Sequence, residues 1–398
     1  MSRAAFWRTP TGLLGAAALD QVAVSLAQQG IAVLAVAFRS ATQISVAQMS
    51  VLMAAVAFGA VLGMIPAGLS HDRLGARPTA WVSGAWAFVA LGLLGLLLPR
   101  AFGLLLVLLV LLGISLPALS LVSLGTVTTV FQGTRHQGLA VGIRQAAGPL
   151  GGVAAASLLP WIAHEWPLSR VLMLLAVNLG VFTVFMAMIL PRRRPPPRAR
   201  TVSLLSLGRR IKGPLWASFL LAPGQYALLT FAVLDLHDVG GRRTVSAGIL
   251  LAAALLSGLA ARLLLGHIRD RGASTPRLLR LSAGIGAAAL LVWAVMPRDQ
   301  TLVVLTALFI GMGFGLDGWN ALVASWITDR SDRAERGLAL GLAGTAGLLG
   351  VIVWLPVFGW LHRTFRSYRP GWLLVAVLSV VLILTLAGPR SAEPAKPS

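Results

Sequence analysis

Four charged residues fall well inside long apolar runs of this chain: Asp20, Arg144, Arg262 and Asp317. A charge at mid-membrane costs roughly 3 kcal/mol or more, so each of them needs a cavity, a partner or a proton. Asp20 lies near the middle of the first run. A carboxylate there can take and release a proton; a fixed salt bridge with Arg144 is the competing reading. Asp317 stands three residues before Asn320 and can share the proton-coupling role or hydrogen-bond a substrate. Arg144 keeps its charge however deep it is buried. It either binds an anionic group or pairs with one of the two acids. Arg262, near the end of its run, reads as a side chain snorkelling to the headgroups.

Uncharged polar residues extend this set into a candidate pocket. Gln21, Ser25 and Gln28 recur at i, i+4 and i+7, which places them on one helical stripe with Gln29 at its edge. Gln225 and Tyr226 follow Pro223, and Trp319 and Asn320 follow Asp317. Buried amides in lipid need partners, so such a stripe implies a wet cavity or bonds between helices. The substrate-binding candidates are therefore Gln21, Gln28, Gln29, Arg144, Gln225, Tyr226, Trp319 and Asn320. Enzymatic chemistry has no comparable set. There is neither a helical His-Glu-x-x-His string nor a phosphate-binding Gly-x-x-x-x-Gly-Lys. No metal site or cofactor is expected. Asp235-Leu236-His237-Asp238 reads as a solvated outer loop, and the absence of cysteine excludes disulfides and thiolate sites.

The elements that position these residues are membrane-length helices. The chain has 398 residues, 57% hydrophobic and 11% charged, with a mean hydropathy of +0.84. A soluble domain carries about 25% charged residues. The net charge of +21 would suggest nucleic acid in a soluble protein, but the basic residues cluster at the ends of apolar runs, so no nucleic-acid partner is expected. A bilayer core takes about 20 apolar residues per helix. Runs of that length fall at 12–37, 46–69, 79–98, 102–131, 138–162, 170–191, 214–235, 246–267, 277–296, 301–326, 337–361 and 371–388. The first contains Asp20 and lacks a cleavage site, so it reads as an uncleaved span rather than a signal peptide. With a cytoplasmic N-terminus, 22 Arg/Lys lie on the cytoplasmic side and nine outside, which sets both termini inside an inner (cytoplasmic) membrane. Arg363, Arg366 and Arg369 depart from that rule before the last span.

The expected organisation is a six-helix bundle at 1–191, a basic cytoplasmic linker at 192–212 and a second six-helix bundle at 213–398. The halves repeat. Gly68-Leu69-Ser70-His71-Asp72-Arg73-Leu74-Gly75-Ala76-Arg77 returns as Gly266-His267-Ile268-Arg269-Asp270-Arg271-Gly272, each a charged, glycine-hinged turn between spans. Gly138-Leu139-Ala140-Val141-Gly142 returns as Gly337-Leu338-Ala339-Leu340-Gly341, and Gly148-Pro149-Leu150-Gly151 as Gly347-Leu348-Leu349-Gly350. Repeated halves with a site between them are a transporter architecture.

On these residues the chain resembles the major facilitator superfamily over essentially its whole length. Gly68, Asp72, Arg73, Gly75 and Arg77 fit that family's signature between helices 2 and 3; Ala76 replaces one basic residue. Gly148-Pro149-Leu150-Gly151-Gly152 looks like the family's antiporter-associated helix-5 element, with Pro149 as a hinge. The fourth run lacks the arginine many members carry for proton coupling. The resemblance implies an all-α integral membrane protein of twelve transmembrane helices. It also implies a conformational latch at Gly68, Asp72, Arg73, Gly75 and Arg77, echoed by Gly266, Asp270 and Arg271, in which Asp72 faces the start of helix 11 in the other half. The function expected is secondary active transport, proton-coupled, of a small organic or amphipathic solute, with export favoured. Symport of a small organic anion is the alternative, and a non-transporting receptor or scaffold the alternative of another class. The expected partners are a small-molecule substrate, protons and the lipid bilayer, and the expected state is a monomer.

Overall fold

Burial of 20-residue apolar runs leaves the backbone no water to bond, so helices are the form the chain must take. The computed structural model describes residues 7, 9–98, 101–132, 134, 136–190, 204–332 and 335–387, and within them only helices form. Twelve are long and apolar enough to cross a membrane, and they follow the runs legible in the sequence; in chain order span 4 is Phe102–Val130, span 6 Leu168–Ile189, span 7 Lys212–Asp238 and span 9 Thr275–Val295. Local signals set their starts. Thr9 caps the first span (Pro10–Val33) by accepting from the Gly12 amide at 3.2 Å, with Pro10 at the first helical position. Ser45 and Gln48 close a reciprocal capping box at the head of span 2 (Val46–Leu74).

Several stretches differ from the expected elements. The string 68–77 is helical rather than a loop: span 2 runs to Leu74 and span 3 starts at Ala76. Gly75 alone makes the turn, at φ 88°, a region only glycine enters without strain. Its counterpart behaves likewise, with Asp270 ending span 8 (Thr244–Asp270) and Gly272 turning at φ 97°. The tenth span is not continuous; it breaks at Gly318 into Leu302–Asp317 and Trp319–Arg330.

The chain divides into two compact units. One comprises Met1–Ala199 with Arg243–Ala252; the other comprises Arg200–Arg242 with Ala253–Ser398. Within the first, spans 2 and 4 approach backbone to backbone. A Cβ at Gly59 would run into the Val110 carbonyl, one at Gly63 into that of Ile114, and one at Gly113 into that of Val56. Such contact is how small residues drive helix association in lipid. The second unit repeats it between spans 8 and 10, where a Cβ at Gly313 would strike the Ala254 backbone. Gly151 and Gly350 form a second equivalent pair. A Cβ at Gly151 would meet the Val22 carbonyl of span 1, and one at Gly350 the Phe219 carbonyl of span 7.

Of the linker, residues 192–203 lie outside the described residues. A short helix, Leu204–Arg210, follows, and Arg210 pairs with Glu335 at 2.5 Å within the second unit.

Candidate functional site

The polar groups buried within the spans gather in one cluster in the first unit and in two in the second. In the first unit Arg144, in span 5 (Gln137–Glu165), is 4% exposed and reaches back to spans 1 and 4. Its Nη2 donates to Gln21 Oε1 at 2.6 Å, to the Ser120 carbonyl at 2.7 Å and to Ser123 Oγ at 2.8 Å. Its Nε donates to Ser123 Oγ at 3.3 Å and its Nη1 to Gln145 Oε1 at 2.8 Å. All these acceptors are neutral. On span 1, Gln21 Nε2 also donates to Ser25 Oγ at 3.0 Å, and Gln29 Nε2 to the Gly148 carbonyl at 3.4 Å. Gln28 is half-buried beside them.

Asp20 is 2% exposed, yet it forms no ion pair with Arg144 within 4.0 Å among the described residues. Arg144 and the Thr183 hydroxyl of span 6 lie within electrostatic reach of the carboxylate, but neither Asp20 Oδ1 nor Thr183 Oγ1 makes a hydrogen bond. The fixed Asp20–Arg144 salt bridge is thus absent. Glutamine and serine acceptors absorb the arginine's donors in its place.

Asp317 organises the second cluster at the break in span 10. Arg262 of span 8 holds it twice, Nη2 to Oδ1 at 2.7 Å and Nε to the Asp317 carbonyl at 3.0 Å. The arginine therefore does not snorkel; its guanidinium turns inward to a buried acid. Gln225 Nε2 of span 7 also donates to Asp317 Oδ1, and Asn320 Nδ2 donates to Gln225 Oε1 and to the Asp317 carbonyl, both at 3.3 Å. The donors at this carbonyl are side chains, where an unbroken helix would supply a backbone amide. Asp317 Oδ2 is buried with no partner. Trp319 is buried with its indole on the Leu316 carbonyl at 3.0 Å, apart from this network, and Tyr226 is half-buried next to Gln225.

The element Asp235-Leu236-His237-Asp238 corrects a sequence expectation. It ends span 7 as helix rather than loop, and Asp235 is fully buried. Asp235 Oδ2 accepts from Trp293 Nε1 at 3.0 Å, Trp372 Nε1 at 2.7 Å and Arg298 Nη2 at 2.9 Å. Arg298, 5% exposed, also donates to the Trp293 and Met296 carbonyls and stacks over the Trp293 ring at 4.0 Å.

The latch residues sit at the two short turns already described. Arg73 is exposed and Arg77 half-buried, while the Asp72 side chain lies outside what is described. In the echo, Arg269 bridges Asp270 at 3.4 Å and Asp329 at 2.5 Å, and Asp270 and Arg271 are exposed. Gly68 and Gly266 have open space at their Cβ positions. The hinge glycines differ: Gly148 faces Gln21 and Ser25, Gly152 abuts Gln29, and Pro149 is buried between them.

Twelve spans in duplicated halves, with buried charge gathered on a few of them, are the build of a membrane transporter rather than of an enzyme. The chain belongs to the Major Facilitator Superfamily, whose sequence model matches residues 18–325. Two Mycobacterium tuberculosis proteins, from strains CDC 1551 / Oshkosh and H37Rv and each described as an uncharacterised MFS-type transporter, are 32% identical to it over 257 residues. That region is 63% of this chain and 56% of theirs, so the match spans little more than half of those relatives' length. A tetracycline resistance determinant of Streptomyces rimosus is 25% identical over 135 residues, 33% of this chain and 38% of that protein. The fold is similar to that of the nucleoside transporter NupG (TM-score 0.75, 15% identity, 96% of this chain and 100% of that one). It is similar also to the xylose transporter XylE of E. coli in its inward-open conformation (TM-score 0.77, 11% identity, 98% of each chain).

Proposed function

We propose that this chain is a secondary active transporter, coupled to protons, that moves a small organic or amphipathic solute by alternating access with export as the favoured direction. One observation carries the coupling. Each half buries a carboxylate with an oxygen that no described donor reaches, Asp20 Oδ1 and Asp317 Oδ2. A buried, unsatisfied carboxylate oxygen is costly unless it cycles through a protonated state. The helix-5 glycines and the partial likeness to a tetracycline resistance determinant accord with export. Symport of a small organic anion is the second reading, favoured by Arg144, whose hydrogen bonds go only to neutral acceptors. The substrate-binding candidates are Gln21, Gln28, Gln29 and Arg144 in the first unit and Gln225, Tyr226, Trp319 and Asn320 in the second.

The test is a ligand-stabilisation screen on the purified protein across pH, followed by flux of the best solutes in proteoliposomes. Accumulation driven by an imposed pH gradient is the expected result; stabilisation by no solute, with no gradient-driven flux, would sink the transporter reading. The polarity read from the arginines predicts a cytoplasmic linker and termini. Ser206, exposed on the short helix, replaced by cysteine in this cysteine-free chain, stays unlabelled by an impermeant thiol reagent in intact cells. Labelling from outside overturns the orientation. The latch assignment predicts that Asp72→Asn folds and binds solute but slows switching between outward- and inward-accessible states. Wild-type transport with unchanged accessibility on both sides removes Asp72 from the mechanism.

A further inference from the structure

One face of span 8 is shaped around the carboxylate of span 10. Gly258 and Arg262 are four residues apart on helix Thr244–Asp270, hence neighbours on one face. A Cβ at Gly258 would lie 2.6 Å from both Cβ and Oδ2 of Asp317 and 3.0 Å from its Cγ. The carboxylate occupies the space that any other residue's side chain would need. One turn on, Arg262 grips Asp317 from the other side, taking Oδ1 with Nη2 and the main-chain carbonyl with Nε. The two oxygens are thereby made unequal. Oδ1 is filled by Arg262 and Gln225, whereas Oδ2 is closed against Gly258, buried and unbonded. Oδ2 is left as the oxygen whose lone pairs no described donor fills.

The geometry points to Gly258 and Arg262 as positioning residues for proton coupling, holding Asp317 so that Oδ2 is the atom that takes the proton. This rests on the coupling role proposed above for the buried carboxylates. The step is a single proton transfer: an O–H bond of a hydronium ion breaks, the O–H bond on Oδ2 forms, and water is released. Neutral Asp317 still offers its carbonyl to Arg262 Nε and Asn320 Nδ2, so the break at Gly318 stays bridged while the ion pair is lost. Among the described residues Arg262 is the one charged side chain in contact with Asp317. Span 7 brings the neutral Gln225, and span 9 reaches this region with Ser282, whose hydroxyl goes to the Gly315 carbonyl at 3.2 Å. The repeat offers an independent sign. Gly258 stands 199 residues after Gly59 (258 − 59) and Arg262 199 after Gly63 (262 − 63). Gly59 and Gly63 both face the span 4 backbone, so the same face of span 8 is the one that meets span 10.

Infrared difference spectroscopy of the full chain in nanodiscs, titrated with acid and without solute, reads carboxyl protonation directly. In the expected result Asp317→Asn removes one titrating carboxyl band. Gly258→Ala and Arg262→Gln retain that band but move its midpoint by about one pH unit or more, tenfold in proton affinity. Arg262→Lys, which keeps the charge and loses the two-pronged grip, gives an intermediate midpoint. Ser257→Ala, whose hydroxyl bonds the Ile310 carbonyl at 2.8 Å, leaves the band in place. A band lost in Asp317→Asn but unmoved in Gly258→Ala and Arg262→Gln overturns the positioning role and leaves Asp317 as the proton carrier. A spectrum unchanged by Asp317→Asn overturns both. Should Arg262→Gln fail to fold, Gly258→Ala and Arg262→Lys decide by the same midpoints.

Discussion

Asp20→Asn abolishes accumulation driven by a pH gradient in proteoliposomes, yet leaves the protein folded and solute binding or exchange measurable. The expectation follows from the partners Asp20 lacks. Its Oδ1 makes no hydrogen bond, and Arg144 is held by Gln21, Ser120, Ser123 and Gln145 instead. Removing the carboxylate takes away none of the hydrogen bonds that Arg144 makes. A fixed Asp20–Arg144 pair would behave otherwise, since an unpartnered buried charge costs about 3–5 kcal/mol and neutralising Arg144 as well would restore part of that loss. Asp317→Asn supplies the contrast. It removes the counter-charge of Arg262, so both coupling and stability fall, and the double variant Asp317→Asn/Arg262→Gln regains stability without regaining coupling. Substrate-dependent proton movement that survives in Asp20→Asn removes Asp20 from the mechanism. Survival in both single variants points to another driving ion or to facilitated diffusion.

Arg298→Ala lowers stability by about 3–5 kcal/mol, the usual result of leaving one member of a buried pair alone. Asp235 is fully buried and has no solvent to replace the guanidinium. Asp235→Leu is at least as damaging, because it strands the Trp293 and Trp372 indoles together with Arg298. Denaturant titration in detergent, followed by near-UV circular dichroism, reads both. A loss under about 1 kcal/mol in Arg298→Ala, the range of an exposed pair, would show that water reaches this network. Neither variant touches the clusters at Arg144 and Asp317, so whatever protein remains folded retains its proton dependence.

The spans were legible because membrane length and apolar continuity are written directly in the residues, and the turns at Gly75 and Gly272 because glycine marks them. What escaped the sequence depended on rotation about a helix and on distant partners. Asp235 reads as loop because Asp, His and Asp end an apolar run, and its partner Arg298 lies 63 residues away. Arg262 has a legible depth but not a legible direction. The repeat held the missing signal, since the equivalent Gly63 faces the span 4 backbone. The break at Gly318 left no mark either, as an isolated glycine inside a helix is usually tolerated. The stripe of Gln21, Ser25 and Gln28, with Gln29 at its edge, was readable because i, i+4 and i+7 spacing alone fixes one face of a helix.

The equivalence of Gly63 and Arg262 has a historical side. A duplicated gene begins with two identical seams; if both began as glycine against backbone, the arrangement the first unit has, the second unit is the one that changed. In the second unit the copy kept Gly258 but acquired a guanidinium one turn on, together with the acid that neutralises it. Either change alone would have buried a lone charge, so an ancestor carrying only one of them would have been selected against unless the acid came first and was carried protonated. On that path the acid is the older innovation and the arginine the later refinement. Descendants that branched off between the two events would show an aspartate at position 317 beside a small, uncharged residue at position 262.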